Sequence, residues 1–340
     1  MKITIIMIYI RTYRFNRINP ILLLWGGGIY LEIRHFHYIR TIYEMGSISR
    51  AAEKLYISQP SLSQLLKSVE KKVGAPLFDR GSQPLRPTTI GQKYLETAQR
   101  IMELDTEFHR YVEDELGCAQ GTLVVGSSPF RSTYFLASFL PEFQEKYPGI
   151  RLQLAEHTSK RLEEAVLSGD ADLIIATQPV DANAFSFAEL YSEEMVLVLP
   201  AGHELSKQYH LPQDCRGTLP LLPIGLLKDT PFIQMHSEQK LHQQLLSLCE
   251  EAGFTPKIYL QTRSMETALT LAAAGLGATL LPMTLLRAFQ PKTRPCYAAL
   301  PTRPRRHALV AWRKKSYLSH AARAFIDSLV NYCRDKGDDI

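Results

Sequence analysis

Gln59, Ser61, Ser63, Gln64 and Lys67 bring amide, hydroxyl and ammonium groups together in one short segment of a 340-residue chain. A side-chain amide donates and accepts at once, so a glutamine can hold two neighbouring base-edge atoms of duplex DNA, while an ammonium or guanidinium can hold a phosphate. The surrounding residues decide whether these groups share a face. Ser58 is placed to cap a helix, and Pro60 falls in its first turn, where a missing N–H is harmless. Leu62, Leu65, Leu66 and Val69 follow i, i+3, i+4, i+7, which turns them inward and leaves the polar set outward. Just upstream, Ser47 to Leu55 reads as a shorter helix whose paired Ala51 and Ala52 let a second helix approach closely, and it carries Ser49 and Arg50.

The flanking segments supply the rest of such a unit. Leu31 to Met45 reads as an amphipathic helix with Phe36, Ile39, Ile42 and Met45 on one side, stopped by Gly46. Gly74 to Arg80 and Leu85 to Thr88 read as two short strands of a wing. A lone helix pair with that polar face is more often merely solvated. Three helices and a wing together point to a winged helix-turn-helix over 31–90, with Ser49, Arg50, Ser58, Gln59, Pro60, Ser61, Ser63, Gln64, Lys67 and Arg80 as candidate DNA contacts.

The chain here resembles the LysR-type transcriptional regulators. The similar segments are Leu31-Glu32-Ile33-Arg34-His35-Phe36, Gly46-Ser47-Ile48-Ser49-Arg50-Ala51-Ala52-Glu53-Lys54-Leu55, Ser58-Gln59-Pro60-Ser61-Leu62-Ser63, Leu77-Phe78-Asp79-Arg80 and Thr88-Thr89-Ile90-Gly91. Two positions depart from the family pattern: Gln64 stands where a basic residue is common, and Pro87 where an apolar residue precedes the wing threonine. Gln64 suits adenine where arginine would suit guanine or phosphate. The resemblance implies an α/β protein with an N-terminal winged helix-turn-helix, a long linker helix over 91–117 that makes the dimer contact, and a C-terminal two-lobed effector domain over 121–327, similar to periplasmic binding proteins. Lobe one would then be 121–191 plus 296–327, and lobe two 192–295. It also implies an interrupted palindromic DNA operator, a homodimer or homotetramer, a small-molecule effector in place of a cofactor, and RNA polymerase as a further partner.

The residues read independently are compatible with that outline. Gly91 to about Leu116 lacks proline and glycine, and Tyr94, Ala98, Ile101, Phe108 and Val112 follow heptad-like spacing, suited to helix pairing or to packing on the helix's own domain. Beyond Gly117 to Gly121, short apolar strands alternate with helices, as in a parallel α/β sheet. Ligands in such sheets sit beyond the carboxyl ends of strands. Ser127, Ser128, Thr158 and Thr177 fall there, with Phe232, Arg263 and Met265 approaching from the other lobe. Each hydroxyl alone reads as a helix cap. As a set matched to the family's effector cleft, they suggest a small anion, a carboxylate above all, with Phe232 as an apolar wall.

Charge and composition exclude more than they establish. The net charge is +5, but Lys2, Arg11, Arg14 and Arg17 supply four of those charges within residues 1–30, which hold no acid. Residues 31–88 carry nine Lys or Arg against five acids, a modest excess that dimerisation would double for phosphate binding. Residues 1–30 read as an extension, with disorder or a start placed upstream of Leu31 as the expectation and a DNA-contacting or membrane-surface arm as the alternative. Their apolar run Ile21 to Trp25 is too short to span a bilayer, so no membrane partner is expected. Cys118, Cys215, Cys249, Cys296 and Cys333 are scattered and odd in number, which fits a reducing cytoplasm. No Gly-x-Ser-x-Gly elbow, P-loop or metal-ligand spacing occurs, so an enzyme is not expected, and Glu193-Glu194 reads as solvated charge.

Overall fold

A computed structural model describes residues 32–115 and 121–337, arranged in two compact units that divide after Met102. The readings of residues 1–30 and of the break at 117–120 lie outside the described residues, as does Cys118.

The first unit holds α1 (Ile33–Met45), α2 (Ile48–Lys54), α3 (Gln59–Val73), a two-stranded wing of β1 (Phe78–Asp79) and β2 (Arg86–Pro87), and the start of α4 (Thr89–Glu115). Caps set the boundaries: Ser47 accepts from the Arg50 N–H, Ser58 accepts from the Ser61 N–H, and Gly46 and Gly74 close α1 and α3 in left-handed conformations. Phe36, Ile39, Ile42, Ala51, Ala52, Leu62, Leu66 and Val69 form one buried core with Leu77 and Phe78 of the wing. Each large side chain in it contributes about 1.5–3 kcal/mol. Gly91 lets α4 lie against the wing, because a Cβ there would fall 1.8 Å from the Leu77 carbonyl oxygen.

Tyr94 and Ala98 are buried in this same core, with Ile101 packed against it. The heptad-like residues in the first half of α4 therefore face their own domain, which corrects their reading as a pairing seam. In the second half Leu104 is 66% and Phe108 63% exposed.

The second unit starts with the end of α4 and continues through β3 (Thr122–Ser127), a continuous helical run α5 (129–146) containing a π turn at Ser132–Leu136, β4 (Arg151–Glu156), α6 (Ser159–Leu167), β5 (Leu173–Thr177) and β6 (Phe185–Leu199). Then come α7 (Glu204–Gln208), β7 (Pro231–Met235), α8 (Lys240–Glu251), β8 (Lys257–Thr262), α9 (Met265–Ala273), β9 (Thr279–Pro282), α10 (Met283–Ala288), β10 (Cys296–Ala299), β11 (Arg305–Arg313) and α11 (His320–Lys336). Strand β5 shows why the first lobe has two helical layers. All five of its residues are buried, with Leu173 and Ile175 in the core shared with α5 and α11, and Ile174 in the core shared with α6.

Strand β6 belongs to both lobes. Its Phe185–Glu194 portion pairs with β11, and Met195–Leu199 pairs with β9 and β10. The first lobe is mixed rather than wholly parallel, since β3 runs parallel to β4 and β5 while β11 is antiparallel to its neighbours. The expected lobe boundaries shift accordingly. Cys296–Ala299 pair within lobe two, so the return to lobe one falls between Leu300 and Arg305, and α11 carries lobe one past 327 to Lys336. The end of α4 is tied to lobe one by Arg313 to Glu103, by the Tyr317 N–H to Glu107 at 2.6 Å, by Arg110 to Asp172 at 2.5 Å and by the Tyr317 hydroxyl to Asp114 at 2.7 Å.

Candidate functional site

The first site is the outer face of α3. Gln59, Pro60, Ser61, Gln64 and Lys67 are exposed, Ser63 is half-buried, and Ser49 and Arg50 are exposed on α2. Their freedom differs. The Ser58 and Ser61 hydroxyls lie 2.7 Å apart, and Ser58 caps α3, so both are engaged within the turn. No hydrogen bond or ion pair joins the side chains of Gln59, Gln64, Lys67 or Arg50 to another described residue. Tyr56, in the turn at φ 54°, is 96% exposed beside them and was not signalled by helical spacing.

Arg80, a candidate DNA contact, already has a partner within the unit. Its guanidinium donates to Glu70 at 2.9 Å, and the same carboxylate accepts from the Leu77 N–H at 2.9 Å. Glu70 is nearly buried, so Arg80 is held as part of the brace between α3 and the wing while its side chain stays largely exposed.

The second site lies between the lobes of the second unit, a cavity of about 590 Å³ lined by Ser128, Thr158 and Thr177 from lobe one and by Arg263 and Met265 from lobe two. These five expected residues come together. Ser127 and Phe232 do not. Ser127 is the last residue of β3 and fully buried, whereas Ser128, the cap of α5, reaches the cleft. Phe232 is also fully buried, packed in the core of lobe two. Of the hydroxyls, Ser128 caps the Arg131 N–H, whereas the Thr158 side chain makes no cap bond and is free for another partner.

Sequence reasoning missed the charges of this cavity. Arg131, Arg161, Lys240, Glu238, Glu266 and Arg306 also line it. Lys240 opens α8 in lobe two and reaches lobe one, donating to Glu163 at 2.9 Å, to the Thr177 carbonyl at 2.7 Å and to the Pro179 carbonyl at 2.6 Å. Arg263 lies 3.6 Å from Glu238 and is 65% exposed.

Glu193, expected to be solvated, is instead 2% exposed. Its Oε1 accepts from Arg306 Nε at 2.7 Å and from Arg131 Nη2 at 3.3 Å, while its Oε2 accepts from the Thr284 hydroxyl. Burial pushes this carboxyl up, but Arg306, Arg131 and Thr284 outweigh burial and hold it below its usual value of 4.5. The cluster sits where β6 passes from one lobe to the other, so the cavity wall and the lobe crossover share these side chains.

Comparison with known proteins places both units. Residues 33–92 match the bacterial regulatory helix-turn-helix protein, lysR family, and residues 117–334 match the LysR substrate binding domain. The chain belongs to the LysR family of transcriptional regulators. It is 29% identical over 308 residues to the HTH-type regulator YcgK of Bacillus subtilis, covering 87% of this chain and 93% of that relative. It is 31% identical over 246 residues to a probable RuBisCO transcriptional regulator of Trichormus variabilis, covering 71% and 70%.

Among solved structures, full-length OxyR from Pseudomonas aeruginosa aligns with a TM-score of 0.63 at 22% identity, covering 90% of this chain and 95% of that one. CbnR in complex with its target DNA aligns at 0.60 and 20% identity, covering 90% and 100%. These likenesses establish a shared fold. As a LysR-type regulator the chain binds DNA through its helix-turn-helix and is not an enzyme. Among the described residues no helix is long and apolar enough to cross a membrane, and no group of His, Cys, Asp and Glu is placed to hold a metal ion.

Proposed function

We propose that this LysR-type regulator is a cytoplasmic homo-oligomer that reads an interrupted palindromic operator with Gln59 and Gln64, anchors phosphates with Arg50 and Lys67, and changes those contacts when a small anionic metabolite enters the cavity between its lobes. The lining of that cavity carries the reading: five cationic side chains, Arg131, Arg161, Lys240, Arg263 and Arg306, against the two acids Glu238 and Glu266. Low-dielectric walls strengthen such an excess of one sign. Thr158 adds a free hydroxyl, and Met265 and Leu241 add apolar surface.

Leu104 and Phe108, exposed one helical turn apart on α4, supply the apolar surface for pairing with a second copy. The regulator works without a cofactor, and RNA polymerase is its further partner at the promoter. Ligand control requires the ligand to favour one arrangement of the oligomer over another, so blocking the cavity separates DNA affinity from response. Met265→Trp, which fills the cavity, and Thr158→Ala are expected to retain operator affinity in gel-shift titrations while losing ligand-dependent change in a promoter reporter. An unchanged reporter response in both variants would remove the cleft from the regulatory role.

A further inference from the structure

The charges around the cleft balance except for one. Three carboxylates pair with four of the five lining cations, for Glu238 faces Arg263, Glu163 holds Lys240, and Glu193 holds Arg306 and Arg131 together, while the fourth, Glu266, accepts from the Ser264 hydroxyl at 2.8 Å. Arg161 is exposed and solvated at the rim. Arg131 is not, for it is 6% exposed and Arg306 is 8% exposed. These two guanidiniums share a single oxygen of a single carboxylate, and the other oxygen is occupied by Thr284. The Nε of Arg131 and the Nη2 of Arg306 are both buried with no hydrogen-bond partner, but Arg306 Nη2 lies 2.5 Å from Glu193 Oε1 whereas Arg131 comes no nearer to it than 3.3 Å. A buried guanidinium with half a counter-ion and an idle donor is costly unless an anion completes it.

We propose that the cleft ligand carries one carboxylate, received by Arg131 beside Arg306, and that the rest of the ligand is uncharged and lies against Met265 and Leu241. This rests on the reading of the cleft as the ligand site and adds the ligand's charge and its point of attachment. A second carboxylate finds no second unpaired cation in the buried wall, and it meets Glu266 and Glu238 instead. A neutral amide leaves Arg131 as incomplete as before. Because Arg131 and Arg306 converge on Glu193 at the lobe crossover, the bound carboxylate also draws Arg131 away from the residue that fastens β6 to α10 through Thr284.

The test uses the full-length protein and two matched sets of probes: hexanoate, hexanamide and adipate, then phenylacetate, phenylacetamide and 4-carboxyphenylacetate, followed by calorimetry and thermal shift. The monocarboxylates are expected to bind about tenfold or more tightly than their amides or dicarboxylates, about 1.4 kcal/mol per tenfold. In Arg131→Gln the preference for carboxylate over amide disappears, and in Arg131→Lys part of it returns. Glu266→Gln, which removes one negative charge from the wall without touching the buried cluster, shifts the preference toward the dicarboxylates. Met265→Trp abolishes binding of every probe.

Amides or dicarboxylates binding the wild-type protein as well as the monocarboxylates, with Met265→Trp still blocking them, would overturn the single-carboxylate assignment and leave the cleft as the ligand site. Failure of all probes to bind at millimolar concentration would overturn both. Retention of the full carboxylate preference in Arg131→Gln would overturn the role of Arg131.

Discussion

The two sites treat their polar side chains in opposite ways. On α3, Gln59, Gln64 and Lys67 are exposed and uncommitted, ready for a partner whose phosphates and base edges supply the other half of every bond. In the cleft, Arg306 is bonded to Glu193 and Lys240 to Glu163, while the Arg131 Nε and the Thr158 hydroxyl keep unused capacity. A surface that reads a large polyanion can leave its groups to water until the partner arrives. A buried wall cannot, because unpaired charge away from water costs several kcal/mol. The difference teaches where mutation should hurt: stability in the cleft, affinity on the helix.

The largest expected effect follows from that contrast. Glu193→Ala leaves Arg131 and Arg306 buried without their shared counter-ion and is expected to cost about 3–5 kcal/mol, seen in calorimetry as a lowered transition of the second unit only. The acid response has the same origin. The folded Glu193 carboxyl titrates below its usual value of 4.5, so its contribution is fully present above pH 4.5 and is lost as pH falls through the lower folded value. Glu193→Gln should lack that acid limb, and an undiminished limb in the variant would show that other carboxylates carry it.

Gly91→Ala comes next. A Cβ at this position collides with the Leu77 carbonyl, and overpacking of this kind costs about 1–3 kcal/mol. The loss should appear in the transition of the first unit and leave ligand binding by the second intact. Equal destabilisation of both units would contradict their description as separate cores.

Much of the first unit was legible in the sequence because its information is local. Ser47 and Ser58 cap helices within three residues of themselves, and the i, i+3, i+4 spacing of Leu62, Leu65 and Leu66 turns Leu62 and Leu66 into the core. The ion pair of Arg80 gave no local signal, because its partner Glu70 is brought near only by the fold of the wing. The cleft was legible only in part. Hydroxyls at strand ends marked Ser128, Thr158 and Thr177, but Ser127, still inside β3 and buried, was placed with them. Phe232 lies inside β7, which is buried along most of its length, and so faces the core of lobe two and not the cleft.

The charged wall gave no local signal. Arg131 and Glu193 are 62 residues apart, and Glu193 and Arg306 are 113 apart. The length of strand β6 was likewise not legible, because Ser192, Glu193 and Glu194 interrupt its apolar run where it crosses between lobes.

Smaller effects sharpen the comparison. Gln64→Ala is expected to cost about 1–3 kcal/mol of operator affinity and to relax preference at a single base position without changing stability, read by binding-site selection. Lys240→Ala removes partly exposed contacts between the lobes and should lower the second unit's stability by about 1 kcal/mol or less, a shift that a thermal melt can bound.

The most direct test is fluorescence anisotropy of the full-length protein on the duplex upstream of its own gene, titrated across salt for wild type and Lys67→Ala. Lys67 is exposed and uncommitted on α3, so the variant should bind all sequences more weakly and lose about one from the log–log salt slope for each Lys67 engaged. An unchanged slope, or a changed preference at one base with the slope intact, would contradict the account of α3 as a face whose free ammonium holds phosphate while its glutamines read sequence.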